Sequence, residues 1–274
     1  MAGVSFLELE ITGKCTLRCA HCYAESSPHG DHSSMTASDW ERVIDDAKTA
    51  GITTVQFIGG EPTVHPDLPR LIRYALAVGL NTDVYTNLVH ITPQLWELFS
   101  LPGVSLGTSW YSANPDEHAE ITGSRRSYYR TRANIAEAVH CGITIRAGIV
   151  HVLDGQDIDA ARGELLALGV TDVNTDHARP VGRASHGQEP TAADLCGQCG
   201  RGRAAIGPDG TVHPCVLGRF LSAGNVNEQS LASILDGPRW GNILACIPHR
   251  DACVTCTPAD SNDCDPSRKP RVAG

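Results

Sequence analysis

From Phe6 to about Thr175, short strand-like runs alternate with amphipathic helical stretches, and this alternation narrows the folds open to the chain. The strand-like segments are Phe6–Thr12, Thr54–Ile58, Asn81–Thr86, Val104–Ser109, Thr144–Val150 and Asp172–Thr175. Between them, Trp40, Val43, Ile44 and Ala47 recur at helical spacing behind Thr36 and Ser38 as candidate N-caps. Leu68, Leu71, Ile72, Ala75 and Leu76 do the same, and Tyr128–Val139 and Ile158–Leu168 read as two further helices. Gly51, Gly79, Gly142 and Gly169 stand where helix ends favour glycine. A βαβα order requires parallel strands covered by helices. Six such units predict an open, partial (β/α)6 TIM-like barrel, an α/β fold. Ligands of parallel α/β folds gather at the carboxyl ends of the strands. The residues that follow each strand are therefore the ones to read for chemistry.

The first of these segments is Lys14-Cys15-Thr16-Leu17-Arg18-Cys19-Ala20-His21-Cys22-Tyr23, with cysteines spaced C-x-x-x-C-x-x-C. Iron–sulfur clusters are normally held by four cysteines. Three on one short loop, with no local fourth, suit a cubane cluster with one iron open to a small molecule. A structural zinc site wants four closed ligands, usually in C-x-x-C pairs.

This spacing, with an aromatic-type residue (His21) before the last cysteine, resembles the radical S-adenosylmethionine (SAM) superfamily. The resemblance implies that Cys15, Cys19 and Cys22 bind a [4Fe–4S] cluster whose fourth iron is chelated by the amino and carboxylate groups of SAM. It implies reductive cleavage of SAM to methionine and a 5′-deoxyadenosyl radical, which abstracts a substrate hydrogen. It also implies the same partial barrel, over roughly residues 5–180. No general acid or base is named, since the hydrogen acceptor is the cofactor radical.

Gly59-Gly60-Glu61-Pro62 ends the second strand. Glycines let backbone approach a ligand closely, and a carboxylate can accept hydrogen bonds from an ammonium. In this context the segment matches the family motif for the SAM amino group. Asn87 and Ser109, at the ends of strands three and four, occupy positions that reach the SAM ribose or carboxylate in similar enzymes. Tyr23 and Arg130 complete the expected SAM-contacting set. Arg146 either enters the barrel or forms an outer salt bridge. Ile149 and Val181 are core residues by default, with adenine contact as the alternative. Tyr85, Tyr111, Tyr128 and Tyr129 read as packing residues. The R-x-x-G-R run Arg179–Arg183, similar to one common in the family, closes the barrel with no role assigned. Cys141 reads as a buried small apolar residue.

Net charge is −9, and the one basic patch is Arg125–Arg132, which reads mostly as a solvated loop; nucleic acid is not an expected partner. No apolar stretch is long enough to span a bilayer and no signal peptide is visible, so no membrane association is expected. Eleven cysteines without an export signal point to a reducing compartment, hence a cytoplasmic location and metal rather than disulfides.

Arg183–Leu195 reads as a linker, dividing the chain into 1–182 and 183–274. The second part carries Cys196, Cys199, Cys215, Cys246, Cys253, Cys256 and Cys264, with a hairpin over Ile206–His213 turning at Asp209-Gly210. Leu231–Leu244 reads as a helix broken near Gly237-Pro238. Seven cysteines admit zinc or iron–sulfur. Their arrangement is similar to the auxiliary-cluster extensions called SPASM and twitch domains, which implies one or two further [4Fe–4S] clusters. A full SPASM pattern has more cysteines after Cys256; with only Cys264 there, either a cluster has an open or non-cysteine-ligated iron, or one cluster forms, with Cys199, Cys215, Cys253 and Cys256 and with Cys196 competing.

The resemblance implies an enzyme that crosslinks, epimerises or oxidises a ribosomally made peptide, drawing electrons from a donor such as flavodoxin or ferredoxin. The first strand starts near the N-terminus, so a separate protein or the barrel mouth is expected to bind the peptide's leader. The alternatives are an oxidoreductase or dehydratase acting on a small-molecule antibiotic intermediate and, more remotely, a non-catalytic zinc or iron–sulfur redox sensor.

Overall fold

The computed structural model describes residues 3–248. Strand β1 (Phe6–Glu10) is followed by helix α1 (Ala37–Thr49), β2 (Thr54–Ile58), α2 (Leu68–Ala77), β3 (Asn81–Tyr85), α3 (Pro93–Phe99) and β4 (Val104–Trp110). Helices α4 (Pro115–Thr122) and α5 (Arg125–His140) lead to β5 (Ile145–His151), α6 (Ile158–Ala167) and β6 (Asp172–His177). These six strands pair in sequence order, all parallel. They form the partial (β/α)6 barrel that the alternation predicts.

Two short helices, α3 and α4, lack the apolar periodicity that marks the others and are not apparent from it. Each opens on a side-chain cap followed by proline: Thr92 accepts from Leu95 N, and Asn114 from Asp116 N. Helix α1 opens on a capping box in which Thr36 and Asp39 exchange backbone bonds. Its buried stripe, Trp40, Val43, Ile44 and Ala47, joins the same core as Leu7, Leu9, Ile11, Val55 and Phe57 on the outer face of the sheet. Full burial of such side chains contributes about 1.5–3 kcal/mol each.

The inner face is different. Register pairs Glu8 with Gln56, Gln56 with Asp83, and Asp83 with Ser105. These positions make a polar layer across the barrel floor, where the opposite face of the same strands is apolar.

Beyond the barrel, β7 (Arg203–Ile206) pairs parallel with β1 on its other edge, and β8 (Thr211–His213) and β9 (Gly224–Asn225) continue antiparallel. The result is one nine-stranded sheet, β6-β5-β4-β3-β2-β1-β7-β8-β9. The expected hairpin is present, with Gly210 at φ +85°; its attachment to β1 as a parallel neighbour is not visible in sequence. The expected broken helix is two, α7 (Leu231–Leu235) and α8 (Pro238–Cys246), parted at Gly237. Cys253, Cys256 and Cys264 lie outside the described residues.

Candidate active site: three cysteines at a strand-end cavity

The loop after β1 is fastened by backbone from three directions. Cys15 N donates to Ser27 O at 3.0 Å, closing the loop on itself. Gly60 N donates to Thr12 O at 2.7 Å and Glu61 N to Lys14 O at 2.8 Å. From the far end of the barrel, Arg183 N donates to Cys22 O at 3.1 Å. Gly59 has φ +139°, and a Cβ there would stand 2.4 Å from Thr12 O; one on Gly60 would stand 2.2 Å from Lys14 O. Both glycines therefore let the second strand's end press against the base of the cysteine loop. Cys15, Cys19, Cys22, Gly59 and Gly60 all line one cavity at the carboxyl ends of the strands.

Glu61 is held by contacts that its motif does not announce. Its side chain is buried and does not line the cavity. Its Oε1 accepts from Thr63 N at 3.1 Å, Thr63 Oγ1 at 2.7 Å and Thr86 Oγ1 at 2.7 Å, and its Oε2 accepts from Asn87 N at 2.7 Å. The carboxylate thus ties the ends of β2 and β3 together, leaving the glycine backbone as the cavity wall. Burial raises its pKa, and the four bonds oppose that shift. Pro62 is buried as the first residue of a single 3₁₀ turn.

Asn87 and Ser109 line the cavity. Asn87 Nδ2 is 3.8 Å from Cys15 Sγ and donates to Thr16 Oγ1 at 3.1 Å, while Ser109 Oγ is 2.9 Å from the Tyr85 hydroxyl. Tyr23 also lines it, with the Arg219 guanidinium 5.8 Å from its ring centroid; Arg219 reaches Glu10 at 3.4 Å. Arg130 does not reach the cavity: it is exposed on α5, and Thr131, one residue on, lines the wall instead. Cys141 is not buried as its apolar character suggests; it is exposed at the C-cap of α5, with Sγ 3.4 Å from Glu137 Oε1.

Arg146 enters the barrel. It is buried, donates to both carboxylate oxygens of Asp83 (Nη2 to Oδ1 at 2.9 Å), and lies on the cavity wall. Gln56 and Ser105 each donate to Asp83 at 2.7 Å. Nothing adjacent to Gln56, Asp83 or Ser105 in the sequence announces these partners. His118 likewise carries no sequence signal: it is buried among Trp110, Tyr111 and Tyr128, on the cavity wall. Burial takes its pKa down to about 4.

The residues present fit the expected groups. The thiols of Cys15 and Cys19 are each pushed up to about 12, by burial first and then by neighbouring negative charge that includes the other cysteines of the loop. Thiolates in this place thus need the positive charge that iron supplies. Among the described residues no three Cys, His, Asp or Glu side chains close around a single ion. The buried Nδ1 atoms of His21 and His118, on the cavity wall, have no hydrogen-bond partner among the described residues, which suits a polar ligand such as SAM.

In the tail, Cys196, Cys199 and Cys215 are buried, with the Sγ atoms of Cys199 and Cys215 2.7 Å apart. Hydrogen bonds with Cys196 and Cys215 push the Cys199 thiol far up. Cys246 is exposed at the end of α8.

Residues 9–184 match the family model of the Radical SAM superfamily, and residues 196–257 match that of an iron–sulfur cluster-binding domain, SPASM. A curated S-adenosylmethionine-dependent nucleotide dehydratase of Selenomonas ruminantium is 30% identical over 182 residues, 59% of this chain and 65% of that protein. A PqqA peptide cyclase of Ruegeria pomeroyi is 30% identical over 149 residues, 53% of this chain and 40% of that protein. The chain thus spans less than two thirds of the length of these curated relatives. The crystal structure of Streptococcus suis SuiB bound to precursor peptide SuiA superposes with a TM-score of 0.75 at 18% identity, covering 89% of this chain and 67% of that one; the likeness is one of fold. With the cysteine loop, the barrel and the tail in place, the chain belongs to the radical SAM superfamily and carries a SPASM domain, and its cofactors are SAM and [4Fe–4S] clusters.

Proposed function

We propose that the chain modifies a ribosomally made peptide by radical SAM chemistry, through crosslinking, epimerisation or oxidation. The observation that carries this reading is the extent of the cavity. It begins at Cys15, Cys19 and Cys22 and runs past Arg146 and Gly148 to Asn174–Arg179 at the end of β6. A second molecule thus has strand-end wall to rest on beside the SAM site. The names of one relative, a PqqA peptide cyclase, and of one structural neighbour, SuiB bound to precursor peptide SuiA, support a peptide as that molecule.

When bound, the cluster and SAM supply a 5′-deoxyadenosyl radical that takes the substrate hydrogen. The chain's own residues orient them: the three cysteines hold iron, the backbone of Gly59 and Gly60 faces the SAM amino group, and Asn87, Ser109 and Tyr23 line the same wall. Cys196, Cys199 and Cys215 hold an auxiliary cluster together with ligands from Cys246–Cys264. An external donor such as flavodoxin or ferredoxin supplies electrons, and residues 1–182 and 183–274 divide the two cluster sites between them.

Anaerobic incubation with SAM, reductant and a candidate precursor peptide, sought among short open reading frames next to this gene, tests the reading. Deoxyadenosine formed together with loss of hydrogen from the peptide, or deuterium uptake from solvent, is the expected result. Deoxyadenosine without any change in the peptide would favour the second reading, a small-molecule oxidoreductase or dehydratase, which the nucleotide dehydratase relative supports. No deoxyadenosine at all would overturn both.

A further inference from the structure

The run that closes the barrel, Val181-Gly182-Arg183, turns back onto the cysteine loop. Arg183 is part-buried, and its Nε donates to Cys19 O at 2.7 Å and its Nη2 to Ser26 O at 2.8 Å. With its backbone N on Cys22 O, this one residue takes up three carbonyls of the loop. Gly182 makes the approach possible. Its φ is +60°, and a Cβ there would stand 2.3 Å from Tyr23 O and 2.5 Å from Cys22 O.

Every partner of the Arg183 side chain in the structure is a neutral carbonyl, and among the described residues no carboxylate pairs with it. Its full positive charge is therefore held beside the cysteines without local neutralisation. We propose that Gly182 and Arg183 form a clasp that holds the cysteine loop in its three-thiol arrangement, and that the Arg183 guanidinium sets the reduction potential of the cluster bound there. Cluster potentials follow net charge, hydrogen bonding around the sulfurs and solvent exposure. A fixed cation favours the more negative, reduced state of the cluster and so raises its potential. Arginine suits the position because one planar fork spans two carbonyls at once, which an ammonium on a single stem does not. The inference rests on the family's cluster at Cys15, Cys19 and Cys22 and not on what the substrate is.

The test is a redox titration of the reconstituted full chain, followed by electron paramagnetic resonance. The relevant signal is the one absent when Cys15, Cys19 and Cys22 are all alanine. Arg183→Gln is expected to lower the midpoint about tenfold in the one-electron equilibrium, ~59 mV. Arg183→Lys is expected to stay near the wild-type potential. Both are expected to lose iron to a chelator several-fold faster, since each breaks the fork. A merely structural arginine would give equal potentials in the two variants, and that result, or an unshifted Arg183→Gln, would overturn the proposal. Should Arg183→Gln bind no iron, Gly182→Ala displaces the same guanidinium without deleting it, and an unshifted potential there counts equally against the clasp.

Discussion

The two groups of described cysteines are built in opposite ways. Cys15, Cys19 and Cys22 sit on a loop whose shape is imposed from outside, by Gly60, Glu61 and Arg183, and whose thiols face a cavity. Cys196, Cys199 and Cys215 are buried, turn toward one another and take part in the apolar core. The first arrangement opens onto space that a ligand can enter; the second packs its thiols against one another. In this chain an open site costs external fastening, because groups that do not touch one another cannot hold their own geometry.

The sharpest break between the two sites comes from alanine variants. Cys15→Ala with Cys19→Ala should abolish SAM cleavage while leaving the unfolding midpoint of the apo chain nearly unchanged. Cys199→Ala with Cys215→Ala should instead destabilise the apo chain by about 1–3 kcal/mol, as expected for losing buried side-chain volume and contacts. Equal stability losses in the two doubles, measured by urea unfolding, would dissolve the distinction.

The polar layer beneath the open site offers a second handle. Arg146→Met leaves the Asp83 carboxylate buried with Gln56 and Ser105 as its remaining partners, at a cost of about 3–5 kcal/mol. Removing both charges, with Asp83→Leu added, should recover much of that loss. A double variant no more stable than Arg146→Met would show that the pair is not the source.

Glu61 separates fastening from ligand contact. Glu61→Gln keeps its shape but replaces one acceptor oxygen with a donor that faces Thr63, Thr86 or Asn87 groups, at about 1–3 kcal/mol. Loss of stability together with SAM affinity is the expected outcome. Weakened SAM binding at unchanged stability would return the carboxylate to the ammonium-binding role that its motif suggests.

His118 gives an effect that depends on pH and carries a sign. Its folded pKa, about 4, lies below the ordinary histidine value of 6.5. The unfolded chain therefore binds more protons between those values, and stability falls as pH drops from about 6.5 toward 4. The limiting slope for one group is about 1.4 kcal/mol per pH unit. His118→Phe should flatten the dependence of the unfolding midpoint between pH 6.5 and 4.5; an unchanged slope would assign it elsewhere.

How much of this was legible depended on the range of the interaction. Local pattern placed β1 to β6 within two residues at each end, found the cysteine loop and marked Gly59 and Gly60, since apolar runs, spacing and glycines are written in consecutive residues. Partners more than a hundred residues apart were not legible. Nothing near Arg183 in sequence indicates Cys19 O, and nothing in Arg203–Ile206 indicates a parallel pairing with β1. Gly59-Gly60-Glu61 also has a structural side that its motif does not announce: the glycines allow close approach to Thr12 and Lys14, and the carboxylate knits β2 to β3. A sequence names the residue at a position, but the direction its side chain takes follows from neighbours brought by the fold. Arg130 and Thr131 differ by one step on α5, and only the second faces the cavity.

The central claim, an open iron–sulfur site at Cys15, Cys19 and Cys22 apart from a second site in the tail, is tested most directly by counting. Iron and acid-labile sulfide per chain are measured after anaerobic reconstitution, with wild type beside the variant carrying alanine at all three positions, and deoxyadenosine is assayed in both. The account predicts that the variant loses about four irons, keeps the remainder and forms no deoxyadenosine. Equal iron in the two proteins, or deoxyadenosine from the variant, would contradict it.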